Sequence, residues 1–194
     1  MPNQPEEPAK TASKRTSKRV LKVALITGAA KRLGKQIAIE LHKQQYNVVI
    51  HCHHSVFEAN TLADSLNEIR PDSAKVVVGN ITDDKALRDI CGDTMACFNR
   101  LDLLINNASS FYPTDDAKPD IAAWNDLTGT NMKAPYLLSC LCAPYLSKNQ
   151  GNIINLVDIH ADRPLKSHTV YCMAKAGLKM MIKSLACELA PLIR

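Results

Sequence analysis

The residues with the clearest capacity for chemistry stand near the end of the sequence. Tyr171 and Lys175 are four positions apart, so a helix would place them on one face, and Asp158 precedes the tyrosine by thirteen positions. A free tyrosine has a pKa of about 10, which is too high for efficient proton exchange at neutral pH. We expect the Lys175 ammonium to favour the phenolate. Asp158 could donate to a ring nitrogen when protonated, or polarise Tyr171 or bind an amino group when ionised.

A second group of residues suits the binding of phosphate. The segment TGAAKRLG (27–34) follows an apolar run and opens a helical pattern. Gly28 permits a tight turn and Gly34 permits close approach of backbone, while the free N–H groups of a helix start can bind a pyrophosphate. Lys31 and Arg32 add positive charge, and a guanidinium can also stack on a planar ligand. The segment therefore predicts a nucleotide-phosphate loop.

The elements that position these residues alternate between strand and helix. Apolar runs predict strands at 20–27, 47–51, 75–80, 101–106 and 151–158. Helical patterns cover 35–45, 55–70, 124–146 and 170–189, with Thr82 as a cap of one more helix and with Pro135 and Pro144 bending or interrupting the third pattern. The order predicts a Rossmann-type, doubly wound α/β fold with a parallel sheet of strand order 3-2-1-4-5. Ligands bind such sheets at the carboxyl ends of the strands, where each motif falls.

Composition narrows the class of protein. The chain has 194 residues, of which 46% are hydrophobic, and this suits one domain at 20–194 after a disordered basic tail at 1–19. Residues 1–22 carry +4 of the net charge of +5, so the rest offers no general nucleic-acid or membrane surface. The odd number of cysteines, seven, and the lack of a Cys-x-x-Cys pair favour a reduced cytoplasmic protein over a disulfide scaffold or zinc site.

Together, these motifs resemble those of the short-chain dehydrogenase/reductase family over residues 20–194. The family's Thr-Gly-x-x-x-Gly-x-Gly occurs with Arg32 in place of its middle glycine, and its Asn-Asn-Ala occurs at 106–108. Its helix-four asparagine matches Asn131, which in the family supports a water chain to the lysine, and its Tyr-x-x-x-Lys matches Tyr171 and Lys175. Most of the family has serine where Asp158 stands.

The branch that the chain resembles is the pteridine reductases, through TGAAKRLG, NNASSFYP and the Asp-Tyr-Lys spacing. In those enzymes the residues that match Arg32, Ser109 and Phe111 contact the pterin. An exposed aromatic ring is also suited to stacking on a flat bicyclic ligand. The resemblance implies reduction of a dihydropterin or dihydrofolate by hydride transfer, with Asp158, Tyr171, Lys175 and Asn131 as the catalytic group.

The cofactor implied is NADPH. The predicted second strand ends in HCHHS (51–55) without the acidic residue that holds the ribose of NAD, and imidazoles and a hydroxyl can donate to a 2′-phosphate. Pteridine reductases generally carry arginine where His54 stands, and histidine is a weaker cation. A metal site at His51 and His53 is the alternative, but no further ligand is identifiable and we predict none. The predicted cofactor residues are Gly28, Lys31, Arg32, Leu33, Gly34, His51, His53, His54, Ser55, Asn80, Asn107, Ala108, Ser109, Tyr171 and Lys175.

The sequence stops at Arg194, before the family's sixth and seventh strands. We therefore expect a chain truncated relative to the family, which would form a homo-oligomer if completed. Two other functions stay open. One is reduction of a carbonyl or 3-oxoacyl substrate by the same fold, and the other is nucleotide binding without catalysis.

Overall fold

The computed structural model describes residues 20–194, which form a parallel five-stranded sheet between helices. The strands are β1 Val23–Ile26, β2 Asn47–Cys52, β3 Ala74–Val78, β4 Leu103–Asn106 and β5 Asn152–Asn155. The α-helices are α1 Arg32–Lys43, α2 Val56–Ile69, α3 Asp84–Phe98, α4 Ile121–Thr128, α5 Ala134–Ser147 and α6 Thr169–Leu189. The predicted basic tail at 1–19 lies outside the described residues.

The strand order is β3-β2-β1-β4-β5, which confirms the predicted doubly wound α/β topology. Ile26 of β1 is in register with Ile50 of β2 and with Ile105 of β4. The carboxyl ends of the three central strands are therefore level. The phosphate loop after β1 and the Asn-Asn-Ala segment at the end of β4 consequently meet at one edge of the sheet.

Apolar side chains fill both faces of the sheet. One cluster, which includes Leu25 and Leu104, packs beneath α3 and α5. The other, which includes Ile26 and Ile50, packs beneath α1 and α2. Neighbouring residues of a strand point to opposite faces, so the continuous apolar runs of β1 and β4 supply both clusters.

Several predicted boundaries need correction. α1 begins at Arg32, three residues earlier than predicted, because the helix starts inside the phosphate loop. β1 and β5 are shorter at both ends than the predicted runs 20–27 and 151–158, and β4 begins two residues later than predicted. β2 extends one residue further, to Cys52, and β3 lies at Ala74–Val78 rather than at 75–80. Thr82 does not cap α3: the cap is Asp83, whose carboxylate accepts from the Ala86 N–H at 2.7 Å, while the Thr82 hydroxyl donates to Asn80.

The predicted single helix at 124–146 is two α-helices joined by a π-helical turn, Gly129–Lys133. Pro135 lies in the first turn of α5, directly after the π-helical turn. Pro144 lies inside α5, which continues to Ser147, so this proline does not end the helix. The predicted interruption of the helix therefore occurs next to Pro135 and not at Pro144.

Among helices of residues 20–194, none is both long and apolar enough to cross a membrane.

Candidate active site

The phosphate loop is shaped by its two glycines. Gly28 has a φ of +62°, a left-handed conformation that favours glycine. A Cβ on Gly34 would lie 2.5 Å from the Gly28 carbonyl oxygen and 2.5 Å from the Asn107 side-chain nitrogen. Arg32 also has a positive φ, +53°, at the position where the family usually has glycine. Its side chain is exposed and lines the cleft, so the loop keeps a glycine-like turn while presenting a guanidinium.

Thr27 and Asn107 join the loop after β1 to the loop after β4. The Thr27 hydroxyl accepts from the N–H groups of Asn107 and Ala108, both at 3.0 Å. The Asn107 amide donates to the carbonyls of Thr27 at 2.7 Å and Gly28 at 3.1 Å. Asn107 is thus engaged in holding the two loops together. Sequence reasoning did not single out Thr27, although it stands directly before the first glycine of the motif.

His51 joins three loops at the same edge of the sheet. Its Nδ1 accepts from the Gly28 N–H at 3.3 Å, so its Nε2 carries the proton and donates to the Gly79 carbonyl at 3.0 Å. Burial lowers the pKa of this histidine to about 4, which keeps the ring neutral. Both ring nitrogens are occupied, so the predicted donation from His51 to a phosphate does not fit this geometry, although the residue lines the cleft.

The other residues after β2 are more accessible. His53 and His54 are exposed, and their ring centroids are 3.6 Å apart. Ser55 precedes α2, and its hydroxyl makes no capping bond there. The Lys31 ammonium forms an exposed ion pair with Glu58 at 2.7 Å. Cations and hydroxyl donors therefore flank this end of the cleft, with Glu58 as an acid that the sequence reasoning did not consider.

The cleft has a volume of about 670 Å³ and runs from the phosphate loop past Asn80 to Ser109. The Asn80 side-chain oxygen accepts from the N–H and the hydroxyl of Thr82, which leaves the amide nitrogen to face other groups. Leu33 is exposed on the rim and Ala108 lies beside Gly28. The elongated cleft, its glycine turns and its helix N-terminus fit a dinucleotide. No group of three or more metal-binding side chains occurs in the described part of the chain.

Asp158 and Tyr171 are in direct contact. Asp158 follows β5 and caps a short 3₁₀ helix, Ile159–Ala161: one carboxylate oxygen accepts from the His160 N–H at 2.9 Å. The other oxygen accepts from the Tyr171 hydroxyl at 2.7 Å. The His160 N–H, and then the tyrosine hydroxyl and nearby positive charge, lower the pKa of Asp158 against the effect of burial. The carboxylate is therefore ionised at neutral pH.

Tyr171 is buried on the first turn of α6. Burial, followed by the hydrogen bond and the charge of Asp158, raises the pKa of this tyrosine well above its usual range. The Asp158 carboxylate therefore acts against the predicted effect of Lys175, which was to favour the phenolate. The tyrosine is thus a protonated hydroxyl that donates a hydrogen bond to Asp158.

Lys175 lies one turn along α6 and is also buried. Its ammonium donates to the Leu156 carbonyl at 3.0 Å and is 5.7 Å from the centre of the Tyr171 ring. Burial lowers the pKa of the lysine, and Asp158 acts in the opposite sense. The contact with Leu156 holds the ammonium at the carboxyl end of the sheet.

Asn131 occupies the π-helical turn and is buried. Its amide donates to the carbonyls of Ser110 and Leu127, both at 2.9 Å, and its oxygen accepts from the Ser109 hydroxyl at 2.6 Å. A π turn leaves a local irregularity in a helix and is frequent at functional sites. Here it places Asn131 against the loop after β4, which the sequence pattern did not reveal.

Phe111 is 56% exposed, and its ring borders the catalytic group. The ring contacts Tyr171 edge-on, with centroids 4.8 Å apart, and stacks on His168 at 4.7 Å. His168 was not identified from the sequence, where it is an isolated histidine. The structure therefore brings Phe111 together with Asp158 and Tyr171, while Ser109 joins the cleft and Arg32 lines its opposite wall.

Comparisons with known proteins agree with this arrangement. The family model described as short chain dehydrogenase matches residues 22–194. The chain is 38% identical to "Pteridine reductase 1" of Leishmania tarentolae in an alignment that covers 88% of this chain and 72% of that protein. It is 26% identical to an "Uncharacterized oxidoreductase" of Staphylococcus aureus (strain MW2), over 87% of this chain and 72% of the relative. The chain therefore belongs to the short chain dehydrogenase family, and it is an oxidoreductase that uses a nicotinamide cofactor on a small-molecule substrate.

Proposed function

We propose that this chain uses NADPH to reduce a pterin-type ring, as in a dihydropterin or dihydrofolate. The observation that carries the proposal is the hydrogen bond between Asp158 and Tyr171 beside the exposed ring of Phe111. A serine hydroxyl at the position of Asp158 would suit a ketone oxygen, whereas a carboxylate suits the amino and N–H groups of a nitrogen heterocycle. The similarity to a pteridine reductase supports the same assignment.

The proposed cofactor contacts follow from the cleft. The loop around Gly28 and Gly34 holds the pyrophosphate, and Lys175 holds the nicotinamide ribose. When the cofactor is bound, its nicotinamide supplies the hydride. Leu33, Asn80, Asn107, Ala108 and Ser109 complete this part of the site.

The preference for NADPH rests on the residues after β2. No acid stands at the end of this strand, and His53, His54 and Ser55 can donate to a 2′-phosphate. Lys31 adds an ammonium, although it is paired with Glu58. We expect a lower KM for NADPH than for NADH, and we expect Glu58→Gln to widen the difference, because this change removes the carboxylate that pairs with Lys31. A KM for NADH equal to that for NADPH would contradict the assignment.

The proposed proton transfer uses the three residues that follow β5. Reduction of a C=N bond adds hydride to the carbon and a proton to the nitrogen. The Asp158 carboxylate binds an amino or N–H group of the ring in place of the Tyr171 hydroxyl, which relieves its effect on the tyrosine. Tyr171 then delivers the proton, and Lys175 stabilises the negative charge left on Tyr171. Asn131 supports replacement of the proton through water.

The substrate ring is held by side chains outside this group. Phe111 has an exposed ring that can stack on a flat bicyclic ligand, and aromatic pairs contribute about 0.5–1.5 kcal/mol beyond the area that they bury. Arg32 offers donors and a planar guanidinium from the phosphate loop. Ser109 supplies a hydroxyl between cofactor and substrate.

The test is reduction of dihydrobiopterin, followed by the loss of NADPH absorbance. Tyr171→Phe removes the proton donor and is expected to lower kcat by about 10²–10⁴-fold. Tyr136→Phe, at an exposed position of α5, is the matched control and should keep the wild-type rate. Turnover of a keto or 3-oxoacyl substrate without turnover of any pterin would replace this proposal with carbonyl reduction. NADP⁺ binding without turnover of either substrate would indicate a nucleotide-binding module.

A further inference from the structure

The side chains of residues 109–112 point alternately towards the candidate site and towards α4. Ser109 and Phe111 face the candidate site, through Asn131 and Tyr171 respectively. The hydroxyls of the residues that alternate with them, Ser110 and Tyr112, donate to α4 instead. The Ser110 carbonyl accepts from Asn131, and Ser110 and Asp126 also line the end of the cleft, but the two hydroxyls have no role in the site described above.

Both of these residues donate hydrogen bonds to the carboxylate of Asp126. The Tyr112 hydroxyl donates to Asp126 at 2.9 Å, and the Ser110 hydroxyl donates to the other oxygen of the same carboxylate at 3.3 Å. Thr130, one turn further along the helical path, donates to that second oxygen at 3.3 Å. A single acid on α4 thus accepts bonds from residues on either side of Phe111.

The bond from Tyr112 is the shortest of the three, at 2.9 Å, whereas those from Ser110 and Thr130 are longer than ordinary O–H···O bonds. Burial, followed by the hydrogen bond to Asp126, raises the pKa of Tyr112 to about 12, so its hydroxyl is a donor at all physiological pH values. A second contact, from the Thr114 N–H to the Ser167 carbonyl at 2.7 Å, holds the far end of the segment.

We infer that Asp126 is a positioning residue, which fixes Phe111 for stacking on the substrate by binding Ser110 and Tyr112. The effect on substrate affinity rests on the proposed reduction of a pterin, whereas the effect on the order of the segment does not. Asp126 touches neither of the aromatic rings that stack with Phe111. Its contribution is to limit the conformations of the backbone that carries the ring.

The first experiment measures backbone hydrogen exchange over residues 109–113. Asp126→Ala is expected to raise the exchange of this segment by about tenfold, because the loss of bonds to a charged group favours local opening. Asp126→Asn keeps one acceptor oxygen and should give an intermediate value. Tyr112→Phe removes one bond and preserves the ring, so it tests the idea if the alanine variant fails to fold. The control is Asp89→Asn, an exposed acid of α3 that pairs with Lys85. Unchanged exchange in both Asp126→Ala and Tyr112→Phe would overturn the inference.

The second experiment separates positioning from general damage to the fold. In Asp126→Ala we expect KM for dihydrobiopterin to rise about tenfold while kcat changes by less than about twofold. In a Phe111→Ala background the same change should have no further effect on KM, because the ring that it positions is gone. A full additional effect in that background would refute action through Phe111. If the wild type reduces no pterin, the proposed function fails, and the exchange result still decides whether Asp126 orders the segment.

Discussion

At the scale of single residues, Asp158 has a role in the structure that its position in the sequence only partly predicted. Its carboxylate caps the turn after β5 through His160 and accepts the Tyr171 hydroxyl with its other oxygen. The sequence predicted the pairing of Asp158 with Tyr171, because the end of a strand and the first turn of the next helix lie together in this topology. The sequence led us to expect that Lys175 would lower the pKa of Tyr171. It did not predict that Asp158 would raise this pKa. That outcome depends on distances between side chains, which a spacing in sequence does not contain.

Arg32 joins an unfavourable backbone conformation to a useful side chain. Its φ of +53° costs an L-residue about 1–2 kcal/mol relative to the right-handed conformation. We therefore expect Arg32→Gly to raise the free energy of unfolding by about 1 kcal/mol, less than the full strain because glycine gains freedom in the unfolded chain. We expect the same variant to bind NADP⁺ and dihydropterin more weakly, because it loses the guanidinium.

Denaturant unfolding and calorimetric titration check the two effects separately. Lys35→Gly, at an exposed α1 position without a positive φ, is the control and should lower stability. A loss of stability in Arg32→Gly would show that the turn does not strain the arginine.

At the scale of elements, the sequence located each strand, but it predicted α4 and α5 as one helix and did not reveal the turn that joins them. The helical pattern continues through Gly129–Lys133, and nothing in the spacing of its apolar residues distinguishes a π turn from an α turn. The turn is set by Asn131, whose amide bonds to Leu127 in its own helix and to Ser110 in the facing loop. The cap of α3 was missed for a related reason. Thr82 and Asp83 are both good caps, and the Asn80 side chain engages the threonine.

His51 makes the edge formed by β1, β2 and β3 sensitive to pH. Its pKa is about 4 in the fold and about 6.5 in an unfolded chain, so the unfolded state binds more protons between these values. The stabilisation from neutral His51 is fully present above pH of about 6.5 and is lost as the pH falls towards about 4, with a total on the order of 3 kcal/mol. The free energy of unfolding should therefore fall steeply over this range.

The measurement is denaturant unfolding between pH 7 and about 4 for the wild type and His51→Ala. The difference in stability between the two proteins should be largest at neutral pH and should shrink as the medium becomes acidic. His54→Ala keeps His51 and should retain the wild-type slope. A difference that is constant across this range would show that His51 is not held neutral by burial.

At the scale of the whole molecule, two apolar clusters share one sheet. Leu104 belongs to the cluster beneath α3 and α5, and Leu62 of α2 belongs to the cluster on the opposite face. Because β1 and β4 supply both clusters, we expect residues 20–194 to unfold in one cooperative transition. Leu104→Ala and Leu62→Ala should each lower the free energy of unfolding by about 2–5 kcal/mol.

The fluorescence of Trp124, the single tryptophan of the chain, and far-ultraviolet circular dichroism provide independent probes of that transition. Coincident curves in the wild type and both variants are the expected result. Separate midpoints, with Leu62→Ala moving only the dichroism signal, would show that the two faces unfold independently.

The sequence was sufficient for the topology because that topology depends on the order of apolar runs and helical patterns, which are local features. It also placed Gly28, Gly34, Asp158 and Tyr171 at one edge of the sheet. The sequence could not show which groups a polar side chain binds within the fold. His51 was expected to donate to a phosphate and instead holds the Gly28 and Gly79 backbones, a role that depends on the parallel pairing of β2 with its neighbours.

The contacts of Thr27 and Asn107 have a consequence for protein engineering. They join the loop that carries Arg32 to the loop that carries Ser109 and Phe111 through four hydrogen bonds. A transplant of either loop from a relative that lacks the threonine or the asparagine would replace only one side of this contact and would lose the hydrogen bonds of the missing side chain. Cofactor and substrate preferences are therefore best exchanged as a pair of loops, with the threonine and the asparagine transferred together.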